Sequence, residues 1–486
     1  SYDNNVGIFV NGVYQTNRNA VDVELVDIQR IEVAKGPQSA LYGRSTFAGA
    51  INYIYAEPTD EFEGAVTGTI GSDDDYGLKG YVSGPIVEGK MAGRLSLGYR
   101  EFDGTFKNLA GGENLQGTES FGAVGSLKFT PTDQFTANFT AIYTDKEVDQ
   151  DAQFNLTDLN CGLGAVPVPQ YRCGDVPYQG DVDLSHEGGT DIESEQYTLK
   201  LEYEADSYIL TSISSYSDAD VRSLADRDYS SSGMTLPVCN TPGCGFSFSP
   251  VISRFQPGVE VFIGLETSAE DFSQELRIAS NNTDGYSWMF GGFYYDSETS
   301  VHNDAGVLDT GLLPGESFAS FIVNLAGLYS SNPAVDRVAF IENESQVETW
   351  ALFGQVGWDI TDQLTVNLEG RYTHEEKELR SAAGFYGEDS FNFFTPRLTV
   401  EYTPQENVLL YANISKGVRS GGFNDSVFLL TEERIFDTEE NWTYEIGAKT
   451  SWLDDRLILN GAVFYVDWED TQLPALNASG IGTHVG

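Results

Sequence analysis

Glycine, serine, histidine, cysteine and carboxylate are the residues of this chain with chemistry to offer, and their spacing limits what that chemistry is. The densest candidate is "RIEVAKGPQSALYGRSTFAGAINYI", Arg30 to Ile54. In it one β-like run stops at Gly36-Pro37 and a second starts at Gly49-Ala50. A phosphate loop needs four residues between its first glycine and a Gly-Lys pair. Gly36 and Gly43 are separated by six, and Arg44 stands in the lysine position. Ser39 and Ser45 belong to no Gly-x-Ser-x-Gly elbow and have no histidine beside them. His186, His302 and His374 are scattered, without the nucleophile and orienting acid that covalent catalysis requires. The segment therefore reads as folded turns and not as an enzyme site. Gly36, Gly43 and Gly49 permit tight turns and close backbone approach, and Pro37 fixes the turn after the strand.

Cys161, Cys173, Cys239 and Cys244 lie in polar, Gly/Pro-rich stretches. Four cysteines allow three pairings. Sequence proximity favours Cys161–Cys173 with Cys239–Cys244. The rival, a zinc site, is disfavoured because neither spacing has the C-x-x-C form and the histidines are dispersed. Disulfides place the chain in an oxidising compartment such as the periplasm or cell surface.

Asp and Glu outnumber Lys and Arg 74 to 27, for a net charge of −47. Such a surface repels a phosphate backbone, so no nucleic-acid partner is expected. It suits divalent cations, cationic ligands or a solvated exterior. Asp73-Asp74-Asp75 and the Asp-rich segment 146–194 are expected outside, where lipopolysaccharide and divalent cations are found. Their oxygen ligands are of the kind Ca²⁺ takes. No metal-ligating set and no cofactor are assigned.

The elements that position these residues read as strands. No run approaches 18 consecutive apolar residues, which excludes a membrane-spanning helix but not a barrel. "LTVNLEGRY" sets Leu364, Val366, Leu368 and Tyr372 on one face and Thr365, Asn367, Glu369 and Arg371 on the other. "YTLKLEYEA" and "YEIGAKTSW" alternate in the same way. Period two is a strand with one apolar and one polar face. The segments run about 10–14 residues against about 5–6 for an ordinary strand. Short connections, such as 131–134, 361–363 and 403–407, alternate with long ones, such as 146–194, 221–267 and 300–345. Sorting of short and long connections to opposite ends is the layout of an outer-membrane barrel. Trp350, Trp358, Tyr143, Tyr372, Trp452 and Trp468 at strand ends fit interfacial girdles.

About 15 strands follow, from 63–72 to 455–470, and an odd number leaves a single-chain bacterial barrel open. An open edge in lipid leaves backbone groups unpaired, so further strands are expected beyond Gly486. The start, "SYDNNVGIFVNG", reads as folded interior, which makes the chain an internal portion of a longer precursor.

Residues 6–58 closely resemble the plug domain of TonB-dependent outer-membrane receptors. The segments are "VGIFVNGVYQ" and "VDIQRIEVAKGPQSALYGRSTFAGAINYIYAEP". The family pattern is V-D-G-V, then D-I-E-R-I-E-V, R-G-P-x-x-x-L-Y-G-x and G-G-x-I-N. Here Asn11, Gln29, Lys35 and Ala48-Gly49 depart mildly from it. "YANISKGVRSGGFN" (411–424) and "YEIGAKT" (444–450) are similar to segments of the family's barrel, in family order.

The resemblance implies an all-β, antiparallel transmembrane barrel of about 22 strands, with about 15 in this chain. Residues 63–486 would form barrel and residues 1–62 the C-terminal part of an α+β plug in its lumen. The TonB box and first plug part would lie outside this chain. It implies active uptake of a scarce ligand, a ferric siderophore by default, with cobalamin, haem, nickel complexes or saccharide as alternatives. TonB would pull on the plug from the periplasm, and no reaction would occur on the ligand. A passive or adhesive barrel is the rival from another class, and the plug argues against it. Outer-membrane lipid and lipopolysaccharide are the expected surroundings. Plug cations commonly meet wall glutamates in such receptors, so Arg30 and Arg44 are expected to latch onto Glu369 or Glu445. Tyr14, Gln15, Arg18 and Asn19, in a polar plug loop, are the expected ligand contacts.

Overall fold

The computed structural model describes residues 5–16, 26–111, 114–153, 182–184, 188–226, 234–239, 252–281, 285–308, 317–318, 337–381, 384–424, 434–476 and 482–485. The plug is a four-stranded mixed sheet. Strands β1 (Val6–Val10) and β2 (Val13–Tyr14) form a hairpin, followed by β3 (Ile28–Lys35) and β4 (Gly49–Tyr55), in the order β2-β1-β4-β3. The run Val6–Tyr14 is thus two strands joined by a turn. Asn11 and Gly12 have φ of 50° and 82°, the two left-handed positions of a tight hairpin turn, which Asn-Gly adopts at least cost. Strand β1 runs parallel to β4, with Ile8 opposite Ile51, and β3 runs antiparallel to β4. Ile8, Phe9, Val10, Val13, Phe47 and Ala50 are buried and form the plug's core. The helical part of the expected α+β texture is reduced to one turn among the described residues, where Tyr42 N–H donates to Gln38 O at 3.0 Å. Gly36, Pro37 and Gly43 punctuate segment 36–48, and small residues there give a helix too few propagating bonds to persist.

The wall follows. Its strands are β5 (Glu63–Ile70), β6 (Tyr76–Val87), β7 (Met91–Phe102), β8 (Thr118–Thr132), β9 (Phe135–Asp149), β10 (Gly189–Glu204) and β11 (Tyr208–Asp226). After β12 (Met234–Cys239) come β13 (Ile252–Ser280) and β14 (Tyr286–Leu308), then β15 (Ser317–Phe318), β16 (Arg337–Thr361), β17 (Leu364–Ser381), β18 (Tyr386–Gln405) and β19 (Val408–Arg419). After β20 (Gly422–Phe423) and β21 (Ile435–Phe436), the wall ends with β22 (Glu439–Trp452) and β23 (Leu457–Glu469), and β24 (Leu473–Leu476) and β25 (Gly482–Val485) follow. Leaving out β12, β15 and the paired fragments β20–β21 and β24–β25, fifteen long strands curl around the plug. Each is antiparallel to the next, so the first and last run in the same direction. Strands β5 and β23 therefore cannot share an antiparallel ladder. No register joins them among the described residues, and every residue of both is exposed.

The wall is apolar outside and polar inside. In β7, Leu95 and Leu97 are exposed while Arg94 and Ser96 are buried; in β17, Leu368 and Tyr372 are exposed while Glu369, Arg371, Thr373, Glu375 and Lys377 are buried. This is the phase read from the alternation. The Trp350, Trp358, Tyr372 and Trp452 rings are exposed on the outer face. Trp468 departs from the expected girdle: it pairs with the buried Asn441, and its ring lies 5.6 Å from that of Phe47 in the plug.

Several strands are far longer than the alternation indicated. Strand β13 has 29 residues, β14 has 23 and β16 has 25. Parts of the expected loops 221–267 and 300–345 are strand. There the ladders run beyond any lipid, so side chains on both faces are free to be polar and the period-two signal disappears. Above the aromatic row the outer face turns acidic: Glu195 lies opposite Asp218, Asp218 opposite Glu270, and Glu270 opposite Glu298. Asp73 and Asp74, with φ of 58° and 51°, turn the chain between β5 and β6, and Asp75 pairs with Arg100 at 2.9 Å. The pairing of Cys161, Cys173 and Cys244 lies outside the described residues; Cys239 ends β12 opposite Ser317.

Leu368→Arg should lower the barrel's stability in lipid by about 2–4 kcal/mol, the cost of a cation near the midplane. Urea unfolding in vesicles measures this. An unchanged midpoint would place Leu368 in the lumen.

Candidate functional site

The lumen interface between plug and wall is where the chain concentrates buried charge. At one point the plug supplies the cation. Arg44 follows Gly43 in the loop between β3 and β4, and that loop is closed by Gln38 N–H to Thr46 O at 3.0 Å and Thr46 Oγ1 to Gly43 O at 2.6 Å. Arg44 Nη1 lies 3.2 Å from Glu375 Oε2, and both side chains are buried. Its guanidinium also sits 5.2 Å from the Tyr295 ring centre and 6.0 Å from that of Tyr14, within cation–π range. Glu375 accepts from Thr349 Oγ1 at 3.1 Å and Ser420 Oγ at 2.5 Å, and faces Lys377 Nζ at 3.2 Å. Two cations and two hydroxyl donors thus surround this buried carboxylate, and charge-assisted bonds of this kind are the strong ones.

The expected latch partners are therefore corrected. Arg44 meets Glu375, three steps of the same alternation beyond Glu369. Glu369 faces Arg397 at 3.8 Å within the wall, and Arg397 Nη1 in turn donates to Gln38 Oε1 of the plug at 2.8 Å. Glu445 accepts from the Tyr411 hydroxyl. Arg30 is exposed and pairs locally, 2.8 Å from Glu32 on its own strand. On an exposed strand, the nearest same-face carboxylate costs the least side-chain entropy to reach.

A second latch has the opposite polarity, with the cation on the wall. Arg94 of β7 donates from Nε and Nη2 to Asp27 of the plug at 2.5 and 2.7 Å, a bidentate fork, and from Nη1 to Glu63 at 3.0 Å. Ser96 Oγ adds a bond to Asp27 at 2.5 Å, and the Tyr81 ring centre lies 3.8 Å from the guanidinium. Asp27 holds a φ of 63°, a position a polar side chain tolerates. Burial and the Asp27 carboxylate push the Tyr55 hydroxyl up to about 12. The folded phenol thus stays neutral where an unfolded one ionises above about 10. This contribution to plug stability is lost as pH rises between those values.

Further hydrogen bonds complete the fit. Thr16 Oγ1 donates to Asp271 at 2.9 Å, Tyr295 OH donates to the same oxygen at 2.7 Å, and Asn441 donates to Phe47 O at 3.0 Å. Gly43, at φ +81°, has no room for a side chain, because a Cβ there would lie 2.6 Å from the Arg371 guanidinium carbon. Arg371 itself lies between the Phe293 and Phe353 rings. Gly36 has φ +75°, and at Gly49 a Cβ would lie 2.7 Å from Ala34 O, so the latter serves strand approach and not a turn.

Two expected ligand contacts are inside the plug's own packing. Gln15 is buried and its amide donates to Val13 O and Tyr14 O at 3.1 and 3.3 Å. Tyr14 OH bonds Ser45 Oγ at 2.9 Å, and its ring meets that of Tyr295 edge-on at 6.0 Å. The hairpin turn at Asn11-Gly12 brings both residues back against β1, away from a free loop. Arg18 and Asn19 lie outside the described residues. The alternation could have found Glu375 and Lys377, which share the phase of Glu369, and Arg94, which shares that of Ser96. Asp27 carried no such signal.

A β-barrel with polar lumen, apolar belt and charge-latched plug defines a plugged outer-membrane barrel. The family model described as TonB dependent receptor-like, beta-barrel matches residues 126–484, and the TonB-dependent Receptor Plug Domain matches residues 1–50. The chain belongs to the TonB-dependent receptors. It is 23% identical to the pesticin receptor of Yersinia enterocolitica over 97% of this chain and 60% of that protein. It is 23% identical to a probable TonB-dependent siderophore receptor, PiuA, of Acinetobacter baumannii, over 97% of this chain and 62% of that one. The solved ferric yersiniabactin uptake receptor FyuA of Yersinia pestis superposes with a TM-score of 0.73 at 20% identity, covering 97% of this chain and 64% of that one. The chain thus spans about three fifths of the length of these curated relatives.

Asp27→Ala leaves the buried Arg94 with only Glu63, and should weaken plug docking by about 3–5 kcal/mol. Arg30→Ala, which removes an exposed pair, should change it by less than about 1 kcal/mol. Hydrogen-exchange protection of β3 and β4 reads both. Equal effects would contradict the assignment of Asp27 as a latch.

Proposed function

We propose that the protein takes up a ferric siderophore actively across the outer membrane of a Gram-negative bacterium, driven by TonB from the periplasm. Residues 1–62 act as the stopper and 63–486 as wall, surrounded by lipid and lipopolysaccharide. The observation that carries this reading is the plug's attachment. Its described contacts with the polar lumen are mostly directional ion pairs and hydrogen bonds, with the ring contacts Phe47–Trp468 and Tyr14–Tyr295 beside them, so that it blocks the passage yet can be released. A permanent stopper would be expected to bury apolar area instead, at about 25 cal/mol per Å². The names of the relatives, receptors for siderophores and a ferric siderophore uptake protein, support iron as the cargo. The ligand is moved unchanged, so the protein is not an enzyme. We assign Arg18 and Asn19, beyond the docked Thr16, to ligand contact.

A deletion strain given single ferric siderophores as its iron source tests this. Growth on at least one should require both this gene and TonB. Growth independent of TonB, or a gain on a carbon source in place of iron, would contradict it.

A further inference from the structure

Glu375 serves two parts of the molecule, one with each oxygen. Oε2 faces Arg44 of the plug at 3.2 Å and accepts from Thr349 Oγ1 at 3.1 Å. Oε1 accepts from Ser420 Oγ at 2.5 Å and faces Lys377 Nζ at 3.2 Å. Ser420 is not part of a wall strand. It follows β19 and opens the connection 420–438 to β22. That connection lies at the end of the wall opposite the short turns that join β18 to β19 and β22 to β23, and so at the extracellular end.

The segment "SKGVRSGGFN", Ser415 to Asn424, carries this connection inward to a plug contact. Gly421 and Gly422 let the short pair β20–β21 press into the lumen. A Cβ on Gly421 would lie 2.3 Å from Phe436 O and 2.6 Å from the Phe391 ring, and one on Gly422 would lie 2.8 Å from the Phe436 ring. Phe423 and Phe436 are buried there, and Lys377 Nζ donates to Gly421 O at 3.0 Å. Gln472, in the segment after β23, fastens both ends of the connection. Its side-chain amide donates to Ser420 O at 3.0 Å and to Asp437 O at 2.8 Å. Its backbone N–H donates to Glu439 Oε2 at 2.5 Å, and Arg419 Nη2 lies 2.7 Å from the same oxygen. Ser420, Glu439 and Gln472 are all buried. The Arg94 latch shares none of these residues. It lies near the short-turn end of β7 and is built from Asp27, Glu63, Ser96 and Tyr81.

We propose that Ser420 and Gln472 are positioning residues for the Arg44 latch, and that through them two extracellular connections set how firmly the plug is held. The proposal rests on the transport reading above, in which the plug must come free, and adds the residues that govern one of its latches from outside. The chemistry is that of a shared carboxylate. Ser420 Oγ fixes the rotation of the Glu375 carboxylate, and with it the place of Oε2 before Arg44. Gln472 in turn fixes Ser420, because its two amide protons pin the backbone at both ends of the connection. A displacement of those ends therefore reaches Arg44 by way of one hydroxyl and one carboxylate.

The test measures hydrogen exchange of plug peptides in the full protein, in outer-membrane vesicles from cells without TonB and without added siderophore. Ser420→Ala should speed exchange of the segment around Arg44 by about three- to tenfold, the range of a single hydrogen bond's net contribution. Exchange of β9 should be unchanged, which shows an intact wall. Gln472→Ala should act in the same direction and add nothing in the Ser420→Ala background. In an Arg44→Ala background, Ser420→Ala should add nothing, while Asp27→Ala, at the separate latch, still adds its full effect. A purely local packing role for Ser420 would give the same increment with and without Arg44, and would overturn the proposal. So would plug exchange that Ser420→Ala leaves unchanged. Neither ligand nor TonB enters this measurement, so its failure overturns the positioning roles alone, and failure of the growth test overturns the transport reading alone.

Discussion

The lipid around the wall is the constraint from which the rest follows. A strand in a barrel has two faces, and lipid claims the apolar one. The inner face is left with Ser96, Thr373, Thr395, Ser415, Asn441 and the buried charges Arg94, Glu369, Arg371, Glu375 and Lys377. A plug placed against such a surface cannot be held mainly by apolar burial. It must satisfy polar groups, and each buried charge left without a partner is costly. The pairing of Asp27 with Arg94, and of Arg44 with Glu375, answers that requirement.

The two latches have opposite polarity, and this matters for register. A plug rotated in the lumen would part Arg44 from Glu375 and Asp27 from Arg94, and buried charges left without partners are costly. Gly43 adds a steric element, since the Arg371 guanidinium occupies the space of its missing side chain. Together they define one seating. They contribute less to net stability than to specificity, because the desolvation of each ion offsets much of the attraction regained. A seating that is specific but only moderately stable suits a part that must be displaced and return.

Much of the fold was legible because lipid imposes a strict period of two. The alternation in "LTVNLEGRY" gave the correct faces for Leu368 and Glu369, and the loop asymmetry pointed to an outer-membrane barrel. What lay beyond the membrane was not legible, because β13, β14 and β16 continue there with both faces polar and no period to read. The latch was legible in kind but not in partner. Arg44 was visible as a plug cation beside a glycine turn, yet the choice between Glu369 and Glu375 depends on the height of the plug in the lumen, which the sequence does not state. Asp27 was invisible: its role arises from a backbone turn that carries it to Arg94, far away in sequence. Tyr14 and Gln15 were read as part of an open plug loop, whereas an Asn-Gly turn folds them back against β1.

Pulling on the plug tests the central claim most directly. With the protein in a supported membrane, force is applied to the plug at β1 by single-molecule spectroscopy. The account predicts that the plug leaves first, at a force below that needed to extract any wall strand, and that the wall remains intact and accepts the plug again on relaxation. Extraction of wall strands before or together with the plug would contradict it.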